Sequence, residues 1–243
     1  LIQMRKQEAS EGRVKDDVLG RCIALQASGT PGMTDVDIRN NLLGIIIGLM
    51  PTTSKCAVLM LDYLLDHPEL LAGAQKAARE NDDELLTKYM LESLRLNSFG
   101  AGLFRVANAD YKIASGYFRS MTIKKGTQVL VATQSAMLDG RVLKQPKTFK
   151  LDRPNYNYMH WGYGMHTCFG QYINQVQIPL IVKSLLKQEG LRRAAGDAGK
   201  VIYDGPFPIT MNIEFTPTFV RQDKSTSKAE TQHSEPAKTS VTV

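Results

Sequence analysis

The sequence predicts a mainly α-helical fold that also contains small β-sheets, and three observations support this class. An apolar segment runs from 35 to about 66 after a capping box formed by Thr34 and Asp37, which predicts a helix about 45 Å long. Further helical segments follow between 68 and 96. Short runs rich in β-branched residues then lie between 111 and 133, which is typical of small sheets rather than a large barrel.

The two ends of the chain complete this arrangement. Residues 1 to 27 have the composition of one or two helices. Residues 170 to 190 predict a helix that a glycine ends, and 205 to 215 predict a turn followed by a final strand. The polar segment 223 to 243 lacks the apolar residues that form a core, so we expect it to be disordered. Residues 1 to 222 then form the folded domain.

Composition and charge narrow the class of protein. The net charge of +6 suits nucleic acid, an anionic membrane or an acidic protein, but a solvated basic face is the commoner cause. No RNP, zinc-finger or helix-turn-helix signature occurs, so we expect no nucleic-acid partner. Cys22, Cys56 and Cys168 lie far apart and show no disulfide or zinc pattern, which indicates a reducing, cytoplasmic setting.

The most apolar segment, residues 41 to 61, has about the length of a membrane span. Pro51 and Lys55 lie near its centre, and a lysine at the centre of a span is costly in lipid. We therefore expect no membrane span. The segment is predicted to be a buried helix that crosses the middle of a soluble domain.

The rarest side chains are concentrated in HWGYGMHTCFG, residues 160 to 170, with the only tryptophan, two of four histidines and one of three cysteines. Cys168 precedes a predicted helix, whose free N–H groups and partial positive charge stabilise a thiolate over a thiol. Such a thiolate acts as a nucleophile or a metal ligand. His166 is only two residues away, which is an awkward position for a protease base. A structural cysteine in a glycine-rich turn is the alternative.

The spacing of this segment resembles the haem-binding loop of the cytochrome P450 family. The family pattern is Phe-Gly-x-Gly-x-(His/Arg)-x-Cys-x-Gly, and the chain departs from its fixed positions only at Trp161, which replaces Phe. The resemblance implies heme b (iron protoporphyrin IX), with Cys168 as the axial iron ligand. It also implies that Trp161, Gly162 and Gly170 contribute to haem binding and that His166 contacts a haem propionate.

Other family motifs follow in the expected order, and the resemblance covers residues from about 34 to 215. Glu92 and Arg95 stand three apart on a predicted helix, so they share a face. Alone, such a pair is usually a solvated surface pair. In the family it is buried and joined by an arginine upstream of the loop, and Arg153 stands there. The resemblance also assigns Arg105 to the other propionate, although a surface arginine is equally consistent with the sequence.

The central helix departs from the family at the distal face of the haem. The family pattern (Ala/Gly)-Gly-x-(Asp/Glu)-Thr-Thr aligns with GLMPTT, residues 48 to 53, where Gly48, Thr52 and Thr53 match and Pro51 replaces the acid. In a monooxygenase the acid and the threonine help to deliver protons to dioxygen. Thr52 is still able to donate through its hydroxyl, but the carboxylate is missing. Pro51 also removes an N–H, so we expect a kink in the helix.

The resemblance implies a haem-thiolate oxidoreductase of the monooxygenase type, which inserts oxygen into a hydrophobic organic substrate. Pro51 favours a peroxide-linked reaction instead, either that of a peroxygenase or that of a fatty-acid hydroperoxide isomerase, since a peroxide needs less proton delivery. The loops also resemble those of family members fused or paired with fatty-acid dioxygenases. Ordinary monooxygenation survives if an ordered water replaces the carboxylate. A non-catalytic haem-binding fragment and a basic interaction module are also consistent with parts of the sequence.

Family resemblance also suggests partners and a substrate pocket. Residues 96 to 104 and Phe207 are expected to line the pocket, or else to be plain core. An acidic ferredoxin- or flavodoxin-like protein, or a reductase, would supply electrons unless a peroxide replaces them. A basic group suited to such a partner, or to a solvated face, is formed by Lys183, Lys187, Arg192 and Arg193. Family members are usually much longer, so we expect missing N-terminal helices and poor haem retention by this chain alone.

Overall fold

The computed structural model describes residues 1–114, 120–216 and 238–242. The chain divides into two compact units, Leu1–Thr52 and Thr53–Val243. One long helix, α3 (Asp35–Leu65), contributes residues to both units.

The first unit contains α1 (Ile2–Ser10), α2 (Val18–Ala27) and the beginning of α3. The predicted capping box at the start of α3 is confirmed, because the Thr34 amide donates to Asp37 Oδ2 at 3.0 Å and the Asp37 amide donates to Thr34 Oγ1 at 3.2 Å. These two contacts satisfy N–H groups that have no partner within the helix.

The burial of α3 differs along its length. Its second part is buried, with Met60 and Leu64 fully covered, as the sequence predicts. In the first part the prediction of burial is wrong, since Ile47 is 68% and Met50 63% exposed. The helix is apolar all round, and apolar composition alone does not determine which part is covered. Among the described residues, α3 is also the one helix whose length and composition suit a membrane span, a test that core helices pass as well.

In the second unit, three helices pack around the end of α3. They are α4 (Pro68–Glu80), α5 (Asp83–Leu96) and α7 (Gln171–Leu186). A short helix, α6 (Thr133–Met137), lies between α5 and α7 in sequence. Fully buried apolar side chains form their common core, including Met90, Ile178 and Leu186. The α5 helix is buried along its last two turns, so polar groups there need partners inside the protein.

Three small antiparallel sheets complete the second unit. The first pairs β1 (Leu103–Val106) with β4 (Gln128–Val131), and the second pairs β2 (Tyr111–Ala114) with β3 (Ser120–Ile123). In the third, β7 (Phe207–Thr216) pairs with β5 (Glu189–Arg193), β6 (Ile202–Asp204) and β8 (Lys238–Thr242). The mainly α-helical class with small sheets is therefore confirmed.

Some of these elements differ from the expectation drawn from the sequence. The helix predicted for 170 to 190 ends at Leu186, and residues 189–193 form a strand instead. A strand at 238–242 also lies in the segment expected to be disordered, where threonine and valine suit an extended backbone. Residues 223–237 and 243 of that segment lie outside the described residues.

Candidate functional site

The loop before α7 is shaped by two glycines with left-handed backbone angles. Gly162 has φ of 77° and Gly164 has φ of 68°, conformations that other residues adopt only under strain. A short 3-10 turn, Gly164–His166, follows, and the Cys168 amide then donates to the Trp161 carbonyl at 2.8 Å. Cys168 therefore lies in a tight turn that its own backbone hydrogen bond closes.

The thiol of Cys168 is exposed next to Gly170, the residue that caps α7. A Cβ at Gly170 would lie 3.8 Å from Cys168 Sγ and 3.2 Å from Asn174 Nδ2. Glycine therefore keeps the space beside the sulfur open. The predicted hydrogen bonds to the thiolate are not formed among the described residues, because the Gln171 amide donates to the Cys168 carbonyl instead, at 3.1 Å.

The surroundings of the thiol are apolar and open. Met165 is 96% and Phe169 92% exposed, and His166 is exposed in the same loop, whereas Trp161 packs partly against the core. A flat apolar macrocycle with a central iron needs such a combination of a thiolate donor, an apolar surface and no side chain beside the sulfur. The residues present fit a haem.

Behind the loop lies a buried cluster of three charged side chains, Glu92, Arg95 and Arg153, which we name the Glu92 cluster. Arg95 Nε and Nη2 each donate to one carboxylate oxygen of Glu92 at 2.8 Å. Arg153 Nε lies 3.1 Å from Glu92 Oε1. Glu92 and Arg95 are fully buried and the Arg153 side chain is 5% exposed. The structure thus brings together the three residues that the family motifs group.

Neutral donors complete the coordination of Glu92. The Lys150 amide donates to Glu92 Oε2 and the Tyr158 hydroxyl donates to Glu92 Oε1, both at 2.9 Å. Burial raises the pKa of Glu92, but the hydrogen bonds from Arg95, the Lys150 amide and Tyr158 outweigh burial and hold this pKa below its ordinary value. Burial and the neighbouring carboxylate raise the pKa of Tyr158, so its hydroxyl stays a donor.

The arginines of the cluster also fix the chain between α6 and the loop. Arg95 donates to the carbonyls of Met137, Pro146 and Thr148, and Arg153 donates to those of Lys144, Gln145 and Thr148. These carbonyls belong to irregular chain that has no sheet or helix to satisfy them. The cluster therefore holds the whole segment that leads to the cysteine.

His160, which begins the segment 160 to 170, anchors the loop to α5. Its Nε2 donates to the Leu91 carbonyl at 2.9 Å, and its ring makes an edge contact with Trp161 at a centroid distance of 5.5 Å. Burial lowers the pKa of His160 to about 4. Sequence reasoning missed His160 and Tyr158; the only available signal was their position just before the motif.

The other predicted site residues lie outside the cysteine loop and the Glu92 cluster. Arg105 is exposed on β1, where its Nη1 donates to the Phe104 carbonyl at 2.8 Å. Gly48, Pro51 and Thr52 belong to the first unit. The helix stays helical through Pro51, and the Thr52 hydroxyl donates to the Gly48 carbonyl of its own helix. The hydroxyl proton of Thr52 is therefore engaged locally.

Two residues of α3 in the second unit, Thr53 and Lys55, make contacts that the sequence does not predict. The Thr53 hydroxyl donates to Asn174 Oδ1 at 3.1 Å, and both side chains are buried. The Lys55 ammonium lies 4.2 Å from the Phe99 ring centre and 5.5 Å from that of Phe207. The two segments expected to line the pocket thus meet at Lys55.

The basic group at α7 and β5 is paired within the chain. Lys183 contacts Asp83 at 2.6 Å, and Arg192 contacts Glu214 at 2.7 Å. Lys187 donates to Asn81, and Arg193 contacts both Asp62 and Asp66. These intramolecular partners favour the interpretation as a solvated face.

The sequence profile of the cytochrome P450 family matches residues 1–189. The chain is 32% identical over 194 residues to Psi-producing oxygenase A of Emericella nidulans, covering 71% of this chain and 17% of that protein. It is 28% identical over 210 residues to linoleate diol synthase of Gaeumannomyces graminis, covering 75% and 17% respectively. It is 26% identical over 235 residues to abscisic acid 8'-hydroxylase 3 of Oryza sativa subsp. indica, covering 86% and 45%. The chain belongs to the cytochrome P450 family.

Solved structures show the same fold. The crystal structure of CalO2 matches with a TM-score of 0.72 and 23% identity, over 89% of this chain and 52% of that chain. P450BioI, in complex with an acyl carrier protein bearing hexadec-9Z-enoic acid, matches with a TM-score of 0.68 and 23% identity, over 86% and 49%. The predicted cytochrome P450 fold is confirmed, and the chain spans about half or less of each compared protein.

Proposed function

We propose that this chain carries the cysteine side of the haem site in a haem-thiolate oxygenase that inserts oxygen into a hydrophobic organic substrate. The main supporting observation is the exposed Cys168 thiol in a glycine-shaped loop, behind which the Glu92 cluster is buried. Such a construction combines a fixed backbone with an open ligand face. Heme b, when bound, would supply the oxygen chemistry.

Each residue then has a distinct role. Cys168 would hold the haem iron through its thiolate, and a haem held in this way would supply chemistry that favours O–O cleavage. Gly162 and Gly170 keep the loop tight and the space beside the sulfur open. By the family resemblance, His166 and Arg105 would hold the two propionates. The Glu92 cluster is structural, because its buried carboxylate accepts four hydrogen bonds, lies 3.1 Å from Arg153 Nε and has no exposed face for chemistry.

The carbon monoxide difference spectrum of the reduced, haem-supplemented chain tests this proposal. A thiolate-ligated haem shifts the Soret band far to the red of a histidine-ligated one. We expect Cys168→Ser to abolish the red-shifted band, while Cys22→Ser, in the first unit, keeps it. A red-shifted band that persists in Cys168→Ser would refute the assignment of the ligand.

A peroxide-linked reaction is the second candidate, in which a peroxide or lipid hydroperoxide is the oxygen donor. Pro51 stands where the family acid stands, and the Thr52 hydroxyl donates to its own helix. Two similar proteins are called linoleate diol synthase and bifunctional dioxygenase–epoxy alcohol synthase. Turnover by the complete protein with a lipid hydroperoxide, compared with turnover by NAD(P)H and a reductase, separates the candidates. Turnover only with the electron chain excludes the peroxide reaction.

In the monooxygenase reaction, a ferredoxin- or flavodoxin-type protein or a reductase supplies the electrons, and we propose a cytoplasmic setting. The basic group at α7 and β5 is a weak candidate for the docking site, because three of its four charges already pair with carboxylates and Lys187 donates to Asn81. Replacing Lys183 by glutamine should therefore leave electron transfer nearly unchanged.

A further inference from the structure

Lys55 is a cation in an unusual position. Its side chain is on α3 within the second unit, and the residue is only 7% exposed. Lysine is among the residues least often buried, and a buried lysine ordinarily has a carboxylate partner. The residues that follow it on the same helix, Val58 and Leu59, are buried and apolar. The next turn of the helix therefore offers the charge no partner.

Across the described residues, no carboxylate forms an ion pair with Lys55, and no hydrogen bond to its ammonium is made. Its contacts are the faces of Phe99 and Phe207, at 4.2 and 5.5 Å from the ring centres. Aromatic faces attract a cation more weakly than a carboxylate does at the same distance. Burial accordingly lowers the pKa of Lys55, although the neighbouring Cys56 opposes that shift. The site favours the arrival of an anion.

The Lys55 ammonium lies where the two segments expected to line the substrate pocket meet. Phe99 belongs to the segment after the Glu92–Arg95 helix, and Phe207 begins β7. These segments are far apart in sequence, yet both rings face one ammonium. Phe99 is 38% exposed, so its contact with the Lys55 ammonium lies next to the protein surface. The ammonium therefore lies just behind an aromatic wall.

We propose that Lys55 binds the carboxylate of the substrate, so that the hydrophobic substrate is a carboxylic acid whose apolar part packs along Phe99 and Phe207. This inference rests on the proposed function and extends it to the class of substrate. The ammonium donates hydrogen bonds to the carboxylate oxygens, and the aromatic rings exclude water from the ion pair. Alcohols or esters of the same chain length lack the negative charge that this site selects.

Competition against a fluorescent fatty-acid probe, with the purified chain, measures this selectivity. Linoleic acid and linoleyl alcohol form a matched pair of ligands that differ in charge. We expect the chain to bind the acid at least about tenfold more tightly than the alcohol. In Lys55→Met the ratio should fall to about one through loss of acid affinity, while Lys55→Arg should keep most of the preference.

Lys76→Met is the matched control, because it removes the same charge from an exposed helix position, 74% exposed, and should leave the ratio unchanged. Methionine fills the volume of Lys55 without its charge, and an unfolding midpoint at least as high as in the parent chain shows that this variant folds. An unchanged acid-to-alcohol ratio in Lys55→Met overturns the proposal, as does an equal loss of both ligands.

The assay does not depend on haem absorption, so it separates this inference from the proposed function. A chain that shows a thiolate spectrum but no acid preference retains the proposed function and refutes the carboxylate site. A chain that binds haem without a thiolate spectrum, and whose acid preference is lost in Lys55→Met, retains the carboxylate site and refutes the haem-thiolate oxygenase.

Discussion

Two neighbouring parts of the second unit differ sharply in the burial and pairing of their polar groups. In the Glu92 cluster the charged side chains are buried and ion-paired, and the carboxylate alone accepts four hydrogen bonds. In the loop that follows Arg153 in sequence, Cys168 and its neighbours are exposed, and the sulfur has no hydrogen bond among the described residues. The buried charges that stabilise the fold and the exposed thiol proposed to bind haem thus belong to adjacent but separate parts of the chain.

The difference shows how an exposed site keeps a defined geometry. The loop itself has few side-chain contacts, and its conformation depends on the glycine angles and on the anchors at its start, His160 and Trp161. His160 is hydrogen-bonded to Leu91 of α5, which also carries Glu92 and Arg95. A rigid buried cluster therefore supports a loop whose thiol stays accessible.

Glu92→Gln should have the largest effect on stability. Glutamine keeps the volume but removes the charge, so two buried guanidinium groups lose their carboxylate partner. We expect a loss of about 3–5 kcal/mol in the free energy of unfolding, measured by urea denaturation. Glu84→Gln is the control, because Glu84 is 82% exposed and its pair with Lys88 should contribute less than about 0.5 kcal/mol. Equal effects of the two changes would contradict the comparison.

Acidification should produce the next largest effect, through His160. Its pKa is lowered from 6.5 to about 4 in the folded chain, so below pH 6.5 the unfolded chain binds a proton that the folded chain does not. Stability is present above pH 6.5 and is lost as the pH falls towards 4, by about 1.4 kcal/mol per pH unit. Unfolding free energies of the chain and of His160→Gln at pH 7, 6 and 5 measure this.

Glutamine keeps an N–H donor for the Leu91 carbonyl, and it does not titrate in this range. The slope of stability against pH should therefore be smaller in His160→Gln than in the parent chain between pH 6.5 and 4. Identical slopes would show that His160 is not buried in its neutral form.

Prediction from the sequence succeeded for the motif residues and failed for the groups that contact them. The spacing of Cys168, Glu92 and Arg95 lies within short segments, so a family resemblance was sufficient to select them, and Arg153 followed from its place before the loop. The cluster's remaining partners are backbone groups, such as the Thr148 carbonyl and the Lys150 amide, which carry no residue-specific signal. Only the fold brings these groups to Glu92.

The long-range contacts of Lys55 and the unequal burial of α3 could not be predicted from the sequence, and the reason is physical. In the sequence, Lys55 indicates only that a membrane span is unfavourable, and its approach to Phe99 and Phe207 depends on three distant segments meeting. The apolar pattern of α3 is uniform, yet Leu64 is fully buried and Ile47 is mostly exposed. Periodicity describes a helix face but not its neighbours.

Gly162→Ala should have a smaller effect, confined to the loop. A Cβ would force a left-handed backbone angle on alanine and would approach the His166 carbonyl at 3.3 Å, so we expect a loss of about 1–2 kcal/mol. Gly44→Ala is the control of opposite sign, because Gly44 is helical with open space around it, and alanine there should add about 0.5–1 kcal/mol. Thermal and urea unfolding of both variants measure these changes, and a gain in Gly162→Ala would disprove the strained turn.

Cys168→Ser should change stability least, by no more than about 0.5 kcal/mol, since the side chain is exposed and its sulfur makes no hydrogen bond among the described residues. The same substitution should abolish the thiolate spectrum of the haem-supplemented chain. A large effect on binding with almost none on folding is what the separation of the two regions requires. If unfolding of the haem-free Cys168→Ser chain were instead shifted by several kcal/mol, the loop would be part of the core, and the exposed thiol would lose its meaning as a ligand kept free for iron.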